Sequence, residues 1–232
     1  MNSPSVLSVV GWSVATVACF AAARRIHAVW RHIWTTPLLV APALLLLLVV
    51  TTGTPYRQYA ACTGWLVALL GPTTVAFAAP IHRQRALLRA HGPVILIGSV
   101  AASLTSIVTS WWLATLLGID GSIRLSLLPR STSTPFAMEI AGRIGGEPEL
   151  AALFVILTGV LGSVIGQRLI QAMPIHSSLA RGALFGAGAH GVGTAKAYEL
   201  GQTEGAVAAL VMVMMGVLNV LCAPLLALCL SH

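Results

Sequence analysis

A chain of 232 residues that is 57% hydrophobic and only 8% charged is not composed for water, because ordinary soluble domains carry about a quarter charged side chains. A mean hydropathy of +0.89 describes an integral membrane protein, with room for about six to eight spans of roughly 20 apolar residues each. The pI near 10.1 raises nucleic acid as a partner, but the arrangement of the basic residues argues against it. Arg24, Arg25 and Arg31 share one short loop and Arg83, Arg85 and Arg89 another, each flanked by apolar runs, which is the positive-inside pattern of cytoplasmic loops.

The first apolar run covers residues 5–23, with no positive charge before it and Arg24 and Arg25 after it. That polarity suits a retained first helix better than a cleaved signal. Further runs cover 36–52, 59–79 and 93–117, with Trp30, Trp34, Tyr56, Tyr59, Trp111 and Trp112 near their ends, where aromatic rings favour the lipid–water boundary. With both arginine-rich loops cytoplasmic, the amino terminus lies outside and the four spans agree. Cys19, Cys62, Cys222 and Cys229 all sit inside apolar segments without a C-x-x-C pair or a zinc-type spacing. They read as small buried side chains and imply neither a metal nor another cofactor.

After residue 117 the pattern changes. Residues 123–146 hold Pro129-Arg130-Ser131-Thr132-Ser133-Thr134-Pro135, then Glu139 and Arg143, and the glycine-rich stretch 181–204 holds His190, Lys196 and Glu199. Broken backbone and charge at membrane depth are tolerated only against protein or a water-filled cavity, so both stretches read as broken or re-entrant helices. Conventional apolar helices cover 150–170 and 205–230. The expected architecture is an all-α polytopic bundle forming a single transmembrane domain, 1–232. Conventional spans occupy 1–122, and repeated half-helix-plus-span units occupy 123–170 and 180–230.

The repeat shows in the residues themselves. Thr134-Pro135-Phe136-Ala137-Met138-Glu139-Ile140 and Thr194-Ala195-Lys196-Ala197-Tyr198-Glu199-Leu200 share the pattern T-x-x-A-x-E-[IL], and a long apolar helix follows each. Thr134 reads as an N-cap with Pro135 at the first helical position, and Thr194, after Gly191-Val192-Gly193, as the second cap. The first turn of a helix favours an anion, and paired interrupted segments point to a transporter's binding site. Ser131, Thr132, Ser133, Thr134 and Pro135 on one side, with His190, Gly191, Gly193 and Thr194 on the other, are candidate walls of a site for a small organic anion. Glu139 and Glu199 are candidates for proton coupling; Arg143 and Lys196, one turn away, are candidate ion-pair partners that would simply neutralise them. No nucleophile elbow, paired catalytic carboxylates or P-loop is present, so the expectation is not an enzyme.

These motifs carry a family resemblance. Residues 128–140, residues 189–197 with Glu199-Leu200-Gly201 and Glu204-Gly205, and upstream Leu69-Leu70-Gly71-Pro72-Thr73-Thr74-Val75-Ala76-Phe77-Ala78 resemble the LrgB/CidB family of bacterial membrane proteins from about residue 69 onward. The resemblance implies residence in the cytoplasmic membrane and two functional expectations. One is holin/antiholin-like regulation of murein hydrolase export and autolysis, with a small LrgA/CidA-like membrane partner. The other is transport of small monocarboxylates such as pyruvate, glycolate or lactate, as in the related plastid glycolate/glycerate carrier. The hydroxyls, helix starts and glycine-rich break favour transport, with a homo-oligomer as the expected assembly.

Overall fold

The computed structural model describes residues 5–30, 32–76 and 78–230. Arg31 of the first basic loop and Phe77 lie outside the described residues, as do the side chains of Ile33, Thr73, Thr74, Cys229 and Leu230. Internal contacts divide the chain into two compact units, Met1–Pro72 and Thr73–His232.

In the first unit α1 (Val6–Val29) packs with α2 (Pro37–Thr51) and α3 (Tyr56–Ala68). Ser5 caps α1 by accepting from the Ser8 N–H at 3.3 Å, and α2 opens on Pro37, whose missing N–H is harmless at a helix start. Aromatic and hydroxyl contacts join α1 to α3. Trp65 Nε1 donates to Ser13 Oγ at 2.9 Å, and the Thr16 and Tyr59 hydroxyls lie 3.2 Å apart. The Trp12 and Tyr59 rings meet edge to face at 5.4 Å. Ala23 is the one buried residue among those described in α1; its exposed Val6, Leu7, Val10, Val14, Val17 and Phe20 are surface that lipid, unlike water, solvates without penalty.

The run 59–79 is not one span. It is divided among α3, α4 (Leu70–Ala76) and α5 (Ala78–Arg83). Pro72 and Pro80 lie in these pieces, and each proline removes a backbone donor and crowds the carbonyl four residues earlier. The run 93–117 lies inside a longer α6 (Arg85–Leu116), bent at His91 (φ −129°, ψ 15°) two residues before Pro93.

The second unit is organised around α11 (Gln202–Leu230). Of its most apolar stretch 67% is buried, against 33% for α9 (Pro148–Ala172) and 22% for α6, so α11 is the axis on which the others pack. Among the described residues four helices, α1, α6, α9 and α11, are long and apolar enough to cross a membrane. That is fewer uninterrupted spans than length alone suggested, because proline and polar breaks divide the remainder. On α9 the large side chains Leu153, Leu157, Leu161 and Ile165 repeat every four residues and are exposed, whereas Ala151, Val155, Gly159, Ser163 and Gly166 are buried. Small residues inside and large ones facing lipid is the arrangement by which membrane helices gain packing.

The helix α10 (Ser178–Leu200) uses the same device against α11. A Cβ on Gly186 would run into the Ala208 carbonyl, and one on Gly182 would come within 2.7 Å of Val207 Cβ. The cysteines are not uniformly buried as composition suggested: Cys62 is, but Cys222 is exposed, which an apolar residue facing lipid can be at no cost.

Candidate functional site

The first break is residues 128–133, between α7 (Gly121–Leu127) and α8 (Thr134–Ile144). Pro129 sits where a continuing helix would need its N–H. The chain instead makes a tight turn in which the Thr132 N–H and hydroxyl both donate to the Pro129 carbonyl, at 3.0 and 2.8 Å. Ser131, Thr132 and Ser133 are all buried. From α6, Ser106 Oγ donates to Ser131 Oγ at 2.7 Å and Ser110 Oγ accepts from Arg130 Nε at 2.8 Å. The N-cap of α8 is Ser133, in extended conformation (φ −73°, ψ 153°), one residue earlier than expected, so Thr134 and Pro135 are the first two helical residues. Ser133 makes no capping bond, and its hydroxyl is buried without a partner.

The second break is one residue, His190, at φ 36° and ψ −119° inside α10. It is the one residue other than glycine with positive φ among those described, although Gly191 beside it was the obvious place for such a conformation. Thr194 is not a cap: its hydroxyl donates to the His190 carbonyl at 2.8 Å, one turn inside the half-helix that follows. The carbonyl freed by the bend is thereby satisfied locally. Gly193 is buried against Phe185 and Ala189 while Gly191 is exposed. The His190 ring lies at the Val155 carbonyl and against Gly159. It is 4% exposed, and Nε2 has no partner.

The half-helices that follow these two breaks pack on the same two helices, α9 and α11, on α11 one turn apart. On α9, Val155 packs with Ala137 and Ala141 of α8, and its carbonyl faces His190. On α11, Gly216 receives the Phe136 ring, and Met212, one turn earlier, takes a 3.9 Å contact from the Thr194 hydroxyl. Each break contributes one buried polar atom without a partner, Ser133 Oγ and His190 Nε2. Such atoms are costly unless something satisfies them.

The repeated motif behaves alike in both copies. Ala137 and Ala197 are each 0% exposed and pack on the helix that follows, against Val155 and Ala208 respectively. Glu139 and Glu199 are exposed and ion-paired, with Arg143 at 2.7 Å and Lys196 at 2.6 Å. The two carboxylates thus stand on outward faces and do not line either break. What the sequence reading passed over is α6: Ser99, Ser103, Ser106 and Ser110 recur every three or four residues along one face. Ser106 and Ser110 serve the first break, and Ser103 accepts from Asn219 Nδ2 of α11 at 3.2 Å. That periodicity was visible in a run read only for its hydrophobicity.

Apolar spans and two interrupted helices, each with a buried unpaired polar atom at its break, define a multi-pass helical membrane protein. It belongs to the LrgB-like family, whose sequence model matches residues 16–229, well upstream of the motifs that carry the resemblance. The chain is 36% identical to the protein YwbG of Bacillus subtilis (strain 168), over 91% of this chain and 94% of YwbG. It is 28% identical to the holin-like protein CidB of Staphylococcus aureus (strain N315) and 26% identical to that of Staphylococcus epidermidis (strain ATCC 12228), in both cases over 92% of this chain and 93% of the relative. No solved structure matches it.

Proposed function

We propose that the protein carries small monocarboxylates, 2-keto or 2-hydroxy acids such as pyruvate, glycolate or lactate, across the bacterial cytoplasmic membrane, without enzymatic chemistry. The observation that supports this most is the pair of buried, unpartnered polar atoms, Ser133 Oγ and His190 Nε2, at breaks whose following half-helices pack on the same two helices, α9 and α11. A substrate carboxylate and its neighbouring oxygen supply what those atoms lack, since hydroxyls donate to a carboxylate and an imidazole exchanges hydrogen bonds with either. Ser131, Thr132, Thr134, Pro135, Gly191, Gly193 and Thr194 shape the two walls. The arginine-rich loops face the cytoplasm and the amino terminus faces outward, with a homo-oligomer and a small LrgA/CidA-like membrane protein as the assembly partners.

The name holin-like, borne by the CidB relatives, favours a second reading, in which the protein regulates murein hydrolase export and moves no substrate. Uptake of labelled pyruvate, glycolate and lactate into vesicles holding the purified protein separates the two. Saturable uptake lost in Ser133→Ala and His190→Ala supports the carrier. Absence of uptake and of pyruvate binding, with or without an LrgA-like partner, rejects it in favour of regulation.

A further inference from the structure

Among the described residues three ion pairs occur: Arg124 with Asp120, Arg143 with Glu139 and Lys196 with Glu199. Arg130, in the first break, belongs to none of them. Of the remaining acids, Glu147 accepts from Ser122 at 2.8 Å, Glu204 folds back over Gly201, and Glu149 lies in the first turn of α9. Arg130 is half-buried, and its side chain donates from Nε to Ser110 Oγ, a residue 2% exposed on α6. The chain therefore keeps a permanent positive charge at a polar break in an apolar unit and offers it no carboxylate. Three residues further on is Ser133, 6% exposed, its hydroxyl also unpartnered. Charge at membrane depth is retained where it has a partner or a function, and a guanidinium whose Nε is occupied still presents the donors that fit a carboxylate two at a time.

We propose that Arg130 is the counter-charge for the substrate carboxylate, held in position by Ser110, with Ser133 as a second donor. This rests on the carrier reading and narrows it. One guanidinium balances one carboxylate, so monoanions are accepted and dicarboxylates, whose second charge has no partner here, are excluded. Ser110 is a positioning residue that acts through Arg130.

The test is equilibrium binding of labelled pyruvate to the purified full chain in detergent, with the neutral ester methyl pyruvate and the dianion malonate as competitors. Arg130→Gln should weaken pyruvate about tenfold or more, the scale of one charged hydrogen bond, while leaving methyl pyruvate unchanged. Arg130→Lys should fall between the two, Ser110→Ala should lower the pyruvate-to-ester preference severalfold, and Ser110→Thr should restore it. Malonate should not compete with the wild type. A folded Arg130→Gln protein with the wild-type preference overturns the proposal. Where that variant does not fold, an unchanged preference in Ser110→Ala overturns it instead. Wild-type protein that neither binds nor moves pyruvate rejects the carrier reading, whereas wild-type uptake with an indifferent Arg130→Gln rejects the Arg130 assignment alone.

Discussion

The His190 ring stands over Gly159 of α9 so closely that a Cβ at position 159 would lie 2.6 Å from His190 Cε1. The bent residue of α10 and a glycine 31 positions earlier are therefore shaped to one another. Gly159→Ala should lower the thermal unfolding midpoint in detergent by the equivalent of about 1–3 kcal/mol, as overpacking does. Combined with His190→Ala it should cost less than it does alone, because the nearest colliding atoms are gone and only Val192 Cγ2, at 3.0 Å, remains close. Additive losses in the four-protein cycle would show that the glycine serves something other than the imidazole.

The backbone at His190 gives a second test. At φ 36° an L side chain is strained by about 1 kcal/mol and glycine is not. His190→Gly should melt above His190→Ala, although both lose the imidazole and with it uptake. The opposite order of midpoints would mean that the surroundings do not hold residue 190 in this conformation.

Ser133 separates stability from function. Its hydroxyl is buried and satisfies nothing within the fold, so Ser133→Ala should leave the midpoint unchanged or raise it by up to about 1 kcal/mol. The same variant should lose the stabilisation that added pyruvate confers on the wild type by mass action. Ser106→Ala, which removes the 2.7 Å bond to Ser131, should instead lower the midpoint by about 1 kcal/mol. A Ser133→Ala protein that is both less stable and still stabilised by pyruvate would exchange the two roles.

Glu139 and Glu199 were legible in the sequence as the carboxylates of a repeat, and the fold turns both outward against Arg143 and Lys196. Exposed pairs one turn apart contribute a few tenths of a kcal/mol. Glu139→Gln should therefore leave the midpoint, the rate of uptake and its response to a proton gradient within about twofold of wild type. Loss of the gradient response in that variant alone would assign the coupling role to Glu139.

The misplaced caps show where local reading stops. Thr134 and Thr194 occupy the same place in the repeated motif, yet Thr134 opens a helix after a six-residue turn while Thr194 closes on the His190 carbonyl inside one. Both breaks were visible because proline, glycine and clustered hydroxyls change the backbone's own preferences. The residue that bends, and the direction of the bend, depend on what lies across from it: Gly159 and Val155 at His190, and Ser106 and Ser110 at the first break.

What the sequence by itself determined is membrane residence, the positions of the two interrupted segments and the existence of the repeated motif. These follow from composition and residue patterning, which are properties of the chain read locally. Only the tertiary structure decided that the half-helices after both breaks pack on α9 and α11, that the buried alanine and outward glutamate recur in both copies of the motif, that a row of serines on α6 supports the first break, and that Arg130 is left without a carboxylate. Those outcomes join residues far apart in the chain, such as Phe136 and Gly216. In lipid, where apolar burial scarcely distinguishes one helix face from another, close packing over glycine and the few available hydrogen bonds choose the partners.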